Sequence, residues 1–215
     1  MSYSEERHVV IPQGELMDEA KNSLTGIWGT AVTATIIVVV VSAIGNFVPA
    51  ISVILAGPLG LGLAIFHLKI AREQEVEIGN VFDGFKWFGK ALGTYVLKMV
   101  AIILGVILLI VPGIIIAIGL SQTFFIMADD PEIGIIDALK DSWELMDGHK
   151  FDYFILWLRF IGWMLLCIFT LGVGFFFLNP YMQVTFAKFY NSIRYGDHRA
   201  TDGEEDDEIR RHLVD

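Results

Sequence analysis

Residues 84–91 read GFKWFGKA, with Gly84, Gly89 and Lys90 at the spacing of the phosphate-binding loop GxxxxGK[ST]. That chemistry needs slim residues, so that backbone N–H groups can approach the phosphates, and a Ser or Thr hydroxyl for magnesium. Here Ala91 takes the hydroxyl position, and Phe85, Trp87 and Phe88 crowd the loop. A phosphate loop also follows a strand, whereas this stretch follows an apolar helix. It is expected to form the apolar face of an interfacial helix, with Lys86 and Lys90 toward headgroups, and not a nucleotide site.

Other catalytic signatures are thin. Ser121 and Thr123 in GLSQTFF have no nearby His or Lys base, Asp129 and Asp130 suit a helix cap, and neither HExxH nor GxSxG occurs. His8, His67, His149, His198 and His212 never pair at helical spacing, and no Cys cluster accompanies them. Cys167 is alone inside WMLLCIFTLG, which excludes a disulfide within the chain. The reading is a non-enzyme without metal or cofactor.

Two cations interrupt apolar runs and offer binding chemistry instead. Lys98 and Arg159 each lie about 10–12 Å into a span at helical rise, and a charge at that depth costs a few kcal/mol unless it snorkels or finds a partner. One reading has both snorkel to the headgroups; the other has them meet an anionic headgroup, or a carboxylate such as Asp152, in an internal cavity. Gly/Pro interruptions favour a site inside the membrane, because unwound backbone is tolerated there only where it is buried or lines a cavity. Gly57-Pro58, Pro112-Gly113 and Asn179-Pro180-Tyr181 fit that description, and kinks that ease helix packing fit it equally. The candidate ligand-binding residues are therefore Arg159, Lys98, Asp152, Pro112, Gly113, Asn179, Pro180 and Tyr181.

The elements that position these residues are apolar helices. The 215 residues are 54% hydrophobic and 19% charged, with a mean hydropathy of +0.59, too apolar for a water-soluble chain. The net charge of −10 is concentrated in two polar loops and in the tail DGEEDDEIRR, read as a solvated segment or as an acidic dock. Nothing points to a nucleic-acid partner. No Asp, Glu, Lys or Arg occurs between Lys21 and Lys69, between Lys98 and Asp129, or between Arg159 and Lys188. A crossing takes about 20 residues, and IGNFVP (44–49), LLIVPGIII (108–116) and TLGVGFFFLNPY (170–181) supply turn or break residues midway.

The resulting expectation is an all-α polytopic membrane helix bundle of six spans in three hairpins: 24–45, 48–69, 89–110, 113–128, 151–170 and 174–193. Residues 1–23 form an N-terminal segment, 24–195 the membrane domain and 196–215 an acidic tail. VSA at 41–43 has the form of a cleavage site, but the acidic leader and long apolar run favour a retained span. Lys69, Arg72, Lys86, Lys90, Lys140, Lys150, Lys188, Arg194 and both termini then share one side, which the positive-inside rule makes cytoplasmic.

The two polar loops share the tripeptide EIG at 77–79 and 132–134, which suggests a repeated unit. Each carries an amphipathic stripe. Val81, Phe82, Phe85, Phe88 and Leu92 predict an interfacial helix over 79–90, and Ile135, Ile136, Leu139, Trp143 and Met146 predict another over 131–147. Asp130 is its expected N-cap, Pro131 its first turn and Gly148 its end.

The blocks GPLGLG (57–62), FDGF (82–85), IVPGIII (110–116), DSWELMDGHKFDYF (141–154), RFIGWMLLCIFTLGVG (159–174) and NPYMQVTFAKFY (179–190) resemble a bacterial integral membrane family, domain of unknown function 975. That family is distantly similar in layout to the membrane domain attached to some glycerophosphodiester phosphodiesterases; no such catalytic domain is present, so that activity does not carry over. The resemblance implies a six-span protein of a bacterial cytoplasmic membrane. Membrane lipids are the expected partners, with the chain serving as an accessory or transport-related subunit that holds a lipid or amphiphile between its helices. A scaffold docking another membrane protein and a small-solute transporter are the alternatives. The sequence fixes no oligomeric state.

Overall fold

The computed structural model describes residues 13–45, 49–170 and 172–212. The expected turn centred on 46–48 and the first twelve residues of the N-terminal segment lie outside them. Every regular element among the described residues is helical: α1 Gln13–Leu24, α2 Trp28–Gly45, α3 Pro49–Ala71, a 3-10 elbow Ile78–Trp87, α4 Phe88–Leu108, α5 Ile110–Gly119, α6 Thr123–Asp129, α7 Ile135–Leu145, α8 Lys150–Phe169 and α9 Gly174–His212. The β-branched run TIIVVVV in α2 would suit a strand in water. In hydrocarbon a helix is favoured because it satisfies each backbone group within the segment.

Among the described residues four stretches are long and apolar enough to cross a membrane: Ile51–Ala71, Ile78–Ile107, Ile110–Asp129 and Lys150–Phe169. A fifth arises if α1 and α2, bent by 95° at their junction, count as one. Gly26, at φ +90°, makes that bend possible. Helix α9 has the length for a sixth, at 39 residues, but Asn179, Gln183 and Lys188 make it more polar than the others. The expected Gly/Pro breaks are absent at two of three places: Pro58 lies inside α3 and Pro180 inside α9, both continuous. The third is a true turn one residue wide. Leu109 is extended (φ −170°, ψ 149°), and Pro112 sits within the first turn of α5, where its missing N–H costs nothing. The hairpin closes because a Cβ on Gly105 would come within 3.0 Å of Gly113 Cα.

The first elbow differs from the expected α-helix. With three residues per turn, its side chains align in three ridges. Val81 and Gly84 are buried against α3, where a Cβ on Gly84 would strike the Pro58 carbonyl and one on Gly62 the Val81 carbonyl. Asn80, Asp83 and Lys86 bond to one another, Asn80 Nδ2 donating at 2.8 Å and Lys86 pairing at 2.8 Å. Phe82, Phe85 and Phe88 form a ladder of rings 6.3 and 6.4 Å apart. Gly84 of GFKWFGKA thus serves helix packing. Lys90, expected to face headgroups, instead donates to the Pro131 and Glu132 carbonyls at 3.1 and 2.8 Å and ties one elbow to the other.

The second elbow starts later than expected. Gly134 is its N-cap, while Asp130 Oδ1 accepts from Glu132 N in the turn before it; Gly148, at φ +77°, follows its end. Its inward stripe is small, Ala138 and Ser142, and Ser142 Oγ donates to the Gly119 carbonyl at 2.8 Å. Ile136 and Trp143 face outward. Close approach at small residues, with large apolar groups turned outward, is how helices associate where no hydrophobic force drives them together. Helix α1 takes up the second half of the expected N-terminal segment. It buries Leu16, Ala20 and Leu24 and is held to α9 by Glu19–Lys188 at 3.7 Å.

Candidate functional site

Two places bring polar or cavity-lining groups together. At the elbow end, the ends of α3 and α6 converge on the middle of α9. Arg72 forms a fork with Asp129, Nη1 to Oδ1 at 2.7 Å and Nη2 to Oδ2 at 2.9 Å, and its Nε donates to Asn191 Oδ1 at 3.1 Å. Tyr190 and Tyr195 each donate a hydroxyl to Asp129 Oδ2 at 2.8 Å. Burial alone would lower the Arg72 pKa, but the hydrogen bonds and charge of Asp129 outweigh it and raise it. All three Arg72 nitrogens and both Asp129 carboxylate oxygens are engaged, so this cluster is a clasp. The sequence places Arg72 among the cytoplasmic cations and Asp129 at a helix cap without linking them, because partners 57 and 119 residues apart leave no local pattern.

The second place is a groove of about 300 Å3 between α2, α8 and α9, at the lower edge of the range for ligand pockets. Trp163, Leu166, Cys167 and Thr170 form one wall, at spacings of three and four on α8 and its C-cap. Gly174, Phe177, Leu178 and Tyr181 form the other on α9, and Trp28 closes the side, its ring 6.4 Å from that of Phe177. One end is shut by the α8–α9 turn. There Thr170 Oγ1 donates to the Cys167 carbonyl at 2.8 Å and accepts from Gly174 N at 3.0 Å, and a Cβ on Gly174 would lie 2.8 Å from the Cys167 sulfur. At the other end the Tyr181 ring meets Phe160 edge-on at 5.7 Å, and no hydrogen bond to its hydroxyl occurs among the described residues. Of the expected ligand-binding residues only Tyr181 lines the groove.

The remaining candidates are dispersed. Asn179 and Pro180 sit in α9 without lining it, and Pro112 and Gly113 pack in the α4–α5 hairpin. Asp152 lies 3.8 Å from His149, and its backbone carbonyl accepts from Gln13 at 3.1 Å. Lys98 points over the Phe124 ring, 5.5 Å from its centroid, while Arg159 is exposed; neither contacts the other, and neither pairs with Asp152. The groove residues Trp28, Trp163 and Cys167 carried the missed signal, being amphipathic or polarisable groups within otherwise aliphatic runs.

Clasp, elbows and groove define an all-α protein with several membrane-compatible helices and an apolar site between them. Residues 11–119 and 98–196 match the family described as "Protein of unknown function (DUF975)", and the chain belongs to that family. No curated protein and no solved structure matches it.

Proposed function

We propose that this protein is a non-enzymatic membrane component that holds the apolar chain of a lipid or other amphiphile in the groove between α2, α8 and α9. The observation that carries this reading is the groove itself: about 300 Å3 of space walled by two facing helical stripes, aromatic at its edges and without a charged group. Binding rather than catalysis is supported by Ser121 and Thr123, whose hydroxyls are engaged with Gln122 at 2.8 Å and the Leu120 carbonyl at 2.9 Å. The first half of α9 completes a sixth crossing in this reading. The elbow end, which holds Arg72, Lys90, Lys150 and Lys188, faces the cytoplasm of a bacterial inner membrane. The two elbows, each begun by an EIG and packed on a glycine of a preceding helix, Gly62 of α3 and Gly119 of α5, support a duplicated unit.

Denaturation of delipidated protein with and without added lipid tests the groove. Lipid at about 100 times its Kd stabilises the wild type by about 2.7 kcal/mol. Leu178→Trp, which fills the groove, removes that increment, and native mass spectrometry finds its co-purifying lipid lost. Equal lipid retention by both proteins rules the groove out.

A further inference from the structure

Arg159 is a charged residue inside an apolar span that finds no partner among the described residues. It lies on α8 nine positions beyond Lys150, about 13 Å along the helix axis, exposed between Leu158 and the buried Phe160. No carboxylate or hydrogen-bond acceptor among the described residues pairs with it. Residues 22–71, 88–128 and 153–196 contain no Asp or Glu, and Asp18 of α1, which lies near Tyr181, does not pair with Arg159. An arginine on an apolar, membrane-compatible helix calls for an anion, and one that the membrane itself supplies in quantity is lipid phosphate.

Its position relative to the groove makes this specific. Arg159 and Trp163 are four residues apart, one turn on the same side of α8, and Trp163 begins the wall that continues through Cys167 to Thr170. The side chain of a helical residue leans toward the helix N-terminus, so the guanidinium reaches away from the closed Thr170–Gly174 end. Tyr181 marks the depth of that open end, since its ring rests on Phe160, one position beyond Arg159 along α8. From Arg159 to Thr170 is eleven residues, about 16 Å, close to half of a hydrocarbon core of about 30 Å.

We infer that the groove and Arg159 form one site for a phosphate-bearing membrane lipid: an acyl chain lies between α8 and α9, and the phosphate sits on the Arg159 guanidinium. The inference rests on the groove reading and gives it a ligand class. A guanidinium suits this role because it offers several donors in a fork matched to phosphate oxygens. Lys98, capped by the Phe124 ring, is not part of the site.

The test compares chain-matched dioleoylphosphatidylglycerol and dioleoylglycerol on delipidated protein. Alkylation of Cys167, the chain's lone cysteine, reports whether a chain occupies the groove, and native mass spectrometry reports affinity. Wild type binds the phospholipid at least about tenfold tighter than the diacylglycerol, equivalent to about 1.4 kcal/mol. Arg159→Gln brings the ratio to about one while leaving diacylglycerol binding unchanged, Arg159→Lys retains part of the preference, and inorganic phosphate alone does not shield Cys167. Equal affinity of wild type for the two lipids, or a preference that survives Arg159→Gln, overturns the phosphate assignment and leaves the groove standing. Failure of either lipid to slow alkylation overturns the groove as well, and shielding by inorganic phosphate alone assigns Arg159 to a soluble anion.

Discussion

The elbow end and the hairpin end of this molecule are built from the same apolar residue types, yet only one of them is packed. At the elbow end Phe66, Phe160, Phe189 and Tyr190 are fully enclosed, and Tyr153 sits 5.0 and 5.4 Å from Phe186 and Phe189. Near the hairpin tip Ile107, Leu109 and Ile110 are about 70% exposed. Apolarity therefore does not decide packing here. Within a bilayer an exposed Leu meets lipid tails as apolar as itself, so helices hold together where backbones approach at glycine or where polar groups need partners. Both devices are concentrated at the elbow end.

Truncating one side chain at each end sharpens that contrast most. Phe66→Ala removes a fully buried ring and should cost about 3–5 kcal/mol, as large-to-small changes in packed cores do. Leu104→Ala removes a side chain that is 55% exposed and should stay within about 0.5 kcal/mol. Denaturant titration of both variants in one detergent measures the difference, and similar losses would mean that the hairpin end is covered by protein.

The clasp supplies the next largest effect. Asp129→Asn leaves the Arg72 guanidinium without its counter-charge and removes one acceptor shared by two tyrosines. A fully buried pair broken on one side costs about 3–5 kcal/mol, and the 28% exposure of Arg72 reduces the expected loss to about 2–3 kcal/mol. Arg72→Met with Asp129→Leu, which removes both charges, should recover part of it. A double variant as unstable as the single one would show that the clasp acts through something other than charge.

Charge-free runs made the helices legible, since a run with no ionisable group and no water has little alternative to helix. The Leu109 turn was legible to within a few residues because Pro112 cannot sit deep in a helix, and both elbows were found from their amphipathic stripes. What escaped is tertiary. The stripe of Val81, Phe82, Phe85, Phe88 and Leu92 fits an α-period, but contact of Gly84 with Pro58 and Gly62 tightens the segment to 3-10, which separates Val81 from Phe82. Likewise Lys90 reads as a headgroup lysine until α7 is placed beside it, and Tyr181 reads as part of a break until α9 proves continuous. The groove needed Trp28 and Trp163 side by side, 135 positions apart in sequence.

The smallest effect separates the two glycine roles that GFKWFGKA and its neighbours mix together. Gly62→Ala would drive a methyl into the Val81 carbonyl, with the Val81 carbonyl carbon at 2.7 Å. Both obstacles are backbone that cannot rotate aside, so the elbow must lift from α3, at a cost of about 1–3 kcal/mol. Gly89→Ala meets nothing within 4 Å and lies in the first turn of α4, where the added methyl only lowers backbone entropy, so it should be neutral or stabilising by up to about 1 kcal/mol. Thermal denaturation of the two variants gives shifts of opposite or clearly unequal size if glycine serves contact at one position and nothing at the other. Equal destabilisation would instead mean that Gly89 touches something in the membrane, and the elbow's Phe82, Phe85 and Phe88 ladder, which flanks it, would then be the place to look for that contact.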